Sequence, residues 1–280
     1  MTTTLRPAGP LQSTAEGARS RPYEVRVNSR VVGKVELAAD PAAGPAVGLI
    51  RGLWIDRPDR RRGRGTVAAL AAEEVLRGWG CRRIDVAVPG DAAEARRMAG
   101  ALGYTETGRH MVKRVSARPP ALPAGDTGRP MTAGEFEAWL GPAVEGYAEV
   151  WRGRGLPPGA ALARSREAHE ERLPRGLDTP GTSFSVLESG GVPVGHVWVG
   201  FGVAGLPGDP GAYVFDVAVD AAHRGRGHGR SLMLLAEGAA LAGRARLIGL
   251  HVLVSNTPAR RLYESLGYRI VQHNFTKPLI

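Results

Sequence analysis

Three arginines spaced through a run of glycines, Arg224-Gly225-Arg226-Gly227-His228-Gly229-Arg230, are the residues of this chain most suited to holding a charged ligand. The apolar run Tyr213 to Val219 precedes them, and Leu232, Leu235, Ala236 and Ala239 follow at helical spacing. Glycines lack β-carbons, so backbone N–H groups can approach a ligand there. The start of the helix adds unpaired donors and the positive end of its dipole. A strand, bend and helix in this order suit a phosphate. The bend is neither GxxxxGK[ST] nor GxGxxG, because no Lys-Ser/Thr pair follows and the glycines run G-x-G-x-G. Asp216 places a carboxylate inside the apolar strand that feeds the bend, and His196 and His251 each interrupt an apolar strand of their own.

Downstream, a strand over Leu247 to Val254 leads into Asn256-Thr257-Pro258-Ala259-Arg260-Arg261-Leu262-Tyr263-Glu264-Ser265-Leu266-Gly267-Tyr268. Pro258 suits the first helical turn, Ala259, Leu262 and Leu266 form an apolar stripe, and Gly267 reads as the stop. The pattern Arg224-x-x-Gly227-x-Gly229 resembles the acetyl-CoA loop of the GCN5-related N-acetyltransferases (GNAT), and the Asn256 to Tyr268 segment is similar to the segment that follows it in that family. The resemblance covers about 130–280 well and about 21–115 in part.

The resemblance implies acetyl-CoA as co-substrate and an acyltransferase reaction that needs no metal. It puts the pyrophosphate on the backbone of Arg226, Gly227, His228 and Gly229, with Arg224, Arg226 and Arg230 at hand, and the pantetheine arm along Val217, Val219 and Asn256. It sets Tyr263 beside the sulfur, where a phenol of pKa about 10 can protonate the leaving thiolate; as a residue alone, sharing a face with Ala259 and Leu266, Tyr263 reads first as a core aromatic. The base that takes the amine's proton is open between Asp216, His196, His251 and a chain of waters. Alternation puts Asp216 on the strand face opposite Val217 and Val219. Trp139, Tyr147 and Trp151, at helical spacing, read as core or, with His196, as walls of the acceptor site. The acceptor expected is a primary amine of a small molecule. Alternatives are a protein N-terminus or lysine, and a non-catalytic acyl-CoA sensor.

The elements that must hold these groups occur twice. Shifting the numbering by 164 lays Asp220 on Asp56, Arg224 on Arg60, Gly227 on Gly63, Gly229 on Gly65 and Leu266-Gly267-Tyr268 on Leu102-Gly103-Tyr104. Across 216–268 the two stretches agree at 17 of 53 positions without a gap, so one architecture is present twice. The first copy has Gly52, Ala92 and Ala99 where the second has Asp216, Asn256 and Tyr263. It reads as degenerate, and Arg60 to Arg64 as either a retained CoA loop or a solvated basic turn.

Four segments follow: a disordered tail over 1–20, a degenerate domain over 21–115, a Pro/Gly/Ala-rich linker over 116–130 and a catalytic domain over 131–280. Hairpins are expected at Asn28-Ser29 and Ser189-Gly190-Gly191, a loop over 40–45, and a helix start at Thr132 with Glu135 three residues on. The fold class is α/β (α+β), with two tandem GNAT folds. The resemblance implies that each is a mixed, mostly antiparallel sheet flanked by helices, with a splayed parallel strand pair at the acetyl-CoA site.

Composition narrows the remaining classes. The net charge is +10, but residues 1–118 hold 21 Lys/Arg against 12 Asp/Glu while the rest is near balance, and only three of the 37 basic residues are Lys. Nucleic acid is therefore not the expected partner. The single Cys81 excludes an internal disulfide and a cysteine-based zinc cluster. The start has no signal-peptide pattern and no apolar run reaches membrane-spanning length, so a cytoplasmic protein without a membrane partner is expected, as monomer or homodimer.

Overall fold

The computed structural model describes residues 2–41, 44 and 46–279, so the loop expected over 40–45 lies partly outside them. The chain divides into two compact units, 1–107 with 152–156 and 273–280, and 108–151 with 157–272. The first contains β1 (Thr3–Pro7), β2 (Gln12–Ser13), β3 (Arg19–Val27), β4 (Arg30–Ala39), β5 (Val47–Ile55), α1 (Arg64–Gly78), β6 (Arg83–Pro89) and α2 (Ala93–Ala101). Its strands run β1-β3-β4-β5-β6, with β2 on β3. All of these pairings are antiparallel except β5 with β6. The 1–20 tail is thus partly strand: β1 pairs residue by residue with β3. Its polar sequence lacks a core pattern because it closes a sheet edge through main-chain bonds.

The chain continues through β7 (Thr105–Arg114), β8 (Asp126–Pro130), α3 (Ala133–Gly153), α4 (Pro158–Arg172), β9 (Thr182–Ser189), β10 (Val192–Phe201), β11 (Ala212–Val219), α5 (His228–Ala242), β12 (Leu247–Leu253), α6 (Thr257–Ser265) and β13 (Arg269–Pro278). In the second unit the strands run β7-β12-β11-β10-β9-β8, and only β11 and β12 are parallel. Leu232, Met233 and Ala236 of α5, Tyr263 of α6 and Leu266, which caps α6, pack on Val197, Val199, Val214, Ile248 and Leu250. Each unit is a mixed sheet flanked by helices.

Both expected hairpins form, the first with positive φ at Asn28 and Ser29 and the second at Gly190 and Gly191, the backbone that a two-residue turn requires. The Thr132 and Glu135 side chains bond reciprocally to each other's backbone N–H. The last five residues of the expected linker are strand β8. Its Pro and Gly content hides a strand whose partner, β9, lies some sixty residues on, and Arg129 fixes the pairing through Glu188 and Glu135.

Neither unit is a continuous copy of the repeat. Gly108–Arg114, from the first copy, pairs with β12 in the second unit, and His273–Pro278, from the second copy, belongs to the first. Two half-buried ion pairs record the exchange. In the second unit Lys113 reaches Glu237 at 2.7 Å and lies over Tyr268; in the first, Lys277 reaches Glu73 at 2.7 Å and lies over Tyr104. The 164 shift relates Glu73 to Glu237, Tyr104 to Tyr268 and Lys113 to Lys277, so each unit draws its Lys from the other copy.

Candidate active site

The geometry of the second unit turns on where β11 and β12 part. They pair at Ala212, Tyr213 and Val214 with Ile248, Gly249 and Leu250, and beyond Val214 the β12-facing edge of β11 has no strand partner. Val217 and Val219 lie on that stretch. The alternate residue Asp220 bonds back to Val194 O, so the backbone groups of Val217 and Val219 turn away from β10 to the splayed side, where an amide-bearing chain can bond.

The strand ends at Asp220, turns through a short 3-10 segment and enters α5. Gly227 is the helix N-cap with φ +90°, a conformation that disfavours any side chain, and no side chain caps the helix. Arg224, Gly225, Arg226 and Gly227 are exposed. Arg224 Nε donates to Val219 O at 3.2 Å, and Arg230 donates to Ser265 Oγ of α6 at 2.7 Å. A β-carbon on Gly229 would stand 3.2 Å from Leu262, so glycine there lets α6 come close to the start of α5. The open N–H groups and exposed guanidinia fit a pyrophosphate. His228 contributes only its backbone to this face, since its side chain is buried beside His223 and Asp126.

The approach of α6 brings Tyr263 to the splay. Its ring is buried and its hydroxyl has no hydrogen-bond partner among the described residues. Burial, with the negative charge of Asp216 as a second cause, pushes the phenol up to about 12, so it is protonated at neutral pH. Asn256 is the N-cap of α6: its side-chain oxygen accepts from Ala259 N at 3.2 Å, leaving its NH₂ for other partners.

A cleft of about 940 Å³ opens beside Asp216. Trp139 and Tyr147 of α3, His169 and Arg172 of α4, and His196 and Trp198 of β10 line it. A bulge in β11 opposite Trp198 and Val199 lets Phe215 and Asp216 both face the cleft. This overrides simple alternation. Asp216 Oδ2 accepts from Trp139 Nε1 at 2.8 Å and lies 3.0 Å from His196 Nε2. A carboxylate only accepts, so Nε2 carries the hydrogen and Nδ1 is left as acceptor. Burial acts to raise the Asp216 pKa, but the bonds from His196 and Trp139 outweigh it and hold the group below its ordinary value.

Three sequence-selected residues therefore meet in the cleft, Trp139, Tyr147 and His196, with Asp216 beside them. Trp151 does not line it: its ring is buried on the far part of α3 under Arg164 of α4. His251 stacks on His110 across β7 and β12, apart from the cleft lining. Sequence reasoning missed His169, Arg172, Trp198 and Phe215. Trp198 was within reach, since alternation puts it on the same face of β10 as His196. Phe215 was not, because the bulge alone re-aims it.

Comparison with known proteins bears on the family and the fold. The family model described as Acetyltransferase (GNAT) family matches residues 4–104 and 149–268. A Bacillus subtilis (strain 168) protein named as an uncharacterized N-acetyltransferase, YycN, is 32% identical over 145 residues, covering 50% of this chain and 90% of its own. Among solved structures, a GCN5-related N-acetyltransferase from Sphaerobacter thermophilus aligns with TM-score 0.59 at 18% identity, over 92% of this chain and 80% of its own. A tandem GNAT protein from the clavulanic acid biosynthesis pathway aligns with TM-score 0.51 at 21% identity, over 93% and 83%. At such identities the two structures speak for the fold. Among the described residues no helix is long and apolar enough to cross a membrane, and no group of three or more His, Cys, Asp or Glu could hold a metal.

Proposed function

We propose, from the premise that this chain belongs to the acetyltransferase (GNAT) family and is an acyltransferase, that its second unit transfers an acetyl group from acetyl-CoA to a primary amine of a small molecule. The observation that carries this is the β11–β12 splay, with an uncapped glycine-rich helix start at one end and a polar-tipped aromatic cleft at the other. The residues present fit the co-substrate. Backbone N–H groups of Arg226 to Gly229, with Arg224 and Arg226, would hold its pyrophosphate, and the open edge at Val217 and Val219, with the Asn256 amide, its pantetheine.

Acetyl-CoA would supply the thioester carbon that bonds the amine nitrogen as the carbon–sulfur bond breaks. His196 Nδ1 takes the proton that the amine must lose. Asp216 is a positioning residue, because a carboxylate held below its ordinary pKa is a weak base but a good orienter of imidazole. Tyr263, protonated and unpartnered, gives its proton to the departing sulfur. The cleft supports a small acceptor in that its aromatic walls stand close to Asp216.

Calorimetric titration of acetyl-CoA tests the cofactor half of the reading. The parent protein is expected to bind, and a Gly227→Glu, Gly229→Glu variant to lose that binding. Absence of binding by the folded parent sinks the proposal.

A further inference from the structure

The charges around the cleft are unequally satisfied. Glu135 on its wall is taken: Arg129 donates to both carboxylate oxygens at 2.7 and 2.8 Å and, as the main cause, pulls its pKa down to about 2. Asp216 holds Trp139 and His196. Asp220 is exposed at the mouth, where the phosphate loop begins. Arg172, the last residue of α4, is the cation of the lining and forms no ion pair among the described residues. One of its five donors goes to Ala168 O of its own helix at 3.1 Å. Its guanidinium lies over the ring of Phe215, 5.4 Å from the centroid, and Phe215 is the chain neighbour of Asp216.

A helix-ending arginine that only faced water would need no aromatic floor. Resting on Phe215, the planar fork keeps its orientation and loses less entropy when it takes a planar partner through two parallel bonds. The partner that fits is a carboxylate. The aromatic cleft thus offers an anion receptor over Phe215 and, around the adjacent Asp216, an acceptor nitrogen on His196, the close spacing that one α-carbon bearing both an amine and a carboxylate requires.

Resting on the acetyl-transfer reading above, we propose that the acceptor is an amino acid with an apolar or aromatic side chain, its carboxylate received by Arg172 and its amine by the His196–Asp216 pair. Arg172 is then the residue that separates amino acids from simple amines.

The test uses the full-length protein and the matched acceptors L-phenylalanine and phenethylamine, which differ by the carboxylate alone. The parent should favour L-phenylalanine in KM and in calorimetric Kd by about 10-fold or more, as a charge-assisted bidentate pair provides. In Arg172→Met that ratio should fall to near one, and in Arg172→Lys it should be partly kept. A parent that binds neither acceptor, or does not favour the carboxylate, overturns the proposal, as does an Arg172→Met variant that keeps the parent's ratio. Titration with acetyl-CoA separates the two readings: discrimination by Arg172 in a protein that does not bind acetyl-CoA would end the acetyl-transfer reading and leave the Arg172 assignment standing.

Discussion

The two units carry the same backbone device with different side chains. In the first, β5 and β6 pair from Val47 with Arg83 to Ile50 with Val86 and stop; in the second, β11 and β12 stop at the matched pair, Val214 with Leu250. Both helices that follow run 15 residues from an αL glycine, Gly63 or Gly227. Both central strands slip register at the same place, at Gly52 in one and beside Asp216 in the other. Yet the first unit has an exposed Trp54 under Arg60 where the second has Ala218. It has Lys34 where strand pairing puts His196, Ala92 without a side-chain cap for Asn256, and Ala99 for Tyr263. Under its loop an ion pair of Asp59 with Arg64 replaces His223 and His228. The splay and the helix start are products of packing and survive side-chain change. The side chains at the positions of His196, Asn256 and Tyr263 build neither feature, and they differ between the units.

Four experiments would break or sharpen this contrast. The largest effect expected is loss of measurable acetyl-CoA binding in Gly227→Glu, while Gly63→Glu leaves turnover intact; equal losses would make the first unit a partner in catalysis. Next, Tyr263→Phe should lower kcat by about 10²-fold with acetyl-CoA affinity nearly unchanged. An unaltered rate removes the phenol from the mechanism.

The third concerns His110, held at a pKa of about 4 by burial and by His251, in the unit that carries the cleft. The matched position of the first unit is Asn274. The folded pKa lies below the unfolded value of about 6.5, so this contribution to stability is complete above pH about 6.5 and is lost as pH falls toward 4. Chemical denaturation between these pH values should show about 3 kcal/mol of acid destabilisation that His110→Asn removes; a variant with the parent's pH dependence would contradict the assignment. Smallest, Asn256→Ala should cost about 1 kcal/mol through the lost cap, measured by urea unfolding, and a neutral result would mean that Asn256 is held for a ligand alone.

Much of the site was legible because local rules write it. Glycines in Arg224 to Gly229, Pro258 at the helix start and the repeat at a shift of 164 are all chain-local signals, and the structure places a helix start, a helix and a second unit where they indicate. The tail over 1–20 and the linker end at Asp126–Pro130 misled for one reason. An edge strand takes its order from a partner's main chain, and its own side chains need not show a pattern.

What the sequence determined by itself was the pair of repeats, the bend and the residues it presents. Tertiary structure alone decided three things. A bulge that depends on the pairing of β10 with β11 turned Phe215 and Asp216 into one cleft. The approach of α6 to α5 raised the Tyr263 pKa by burying it beside Asp216. The exchange of last strands gave Glu73 and Glu237 their lysines from opposite copies. In each case the deciding energy is that of groups distant in the chain shedding water against each other, which no local spacing encodes.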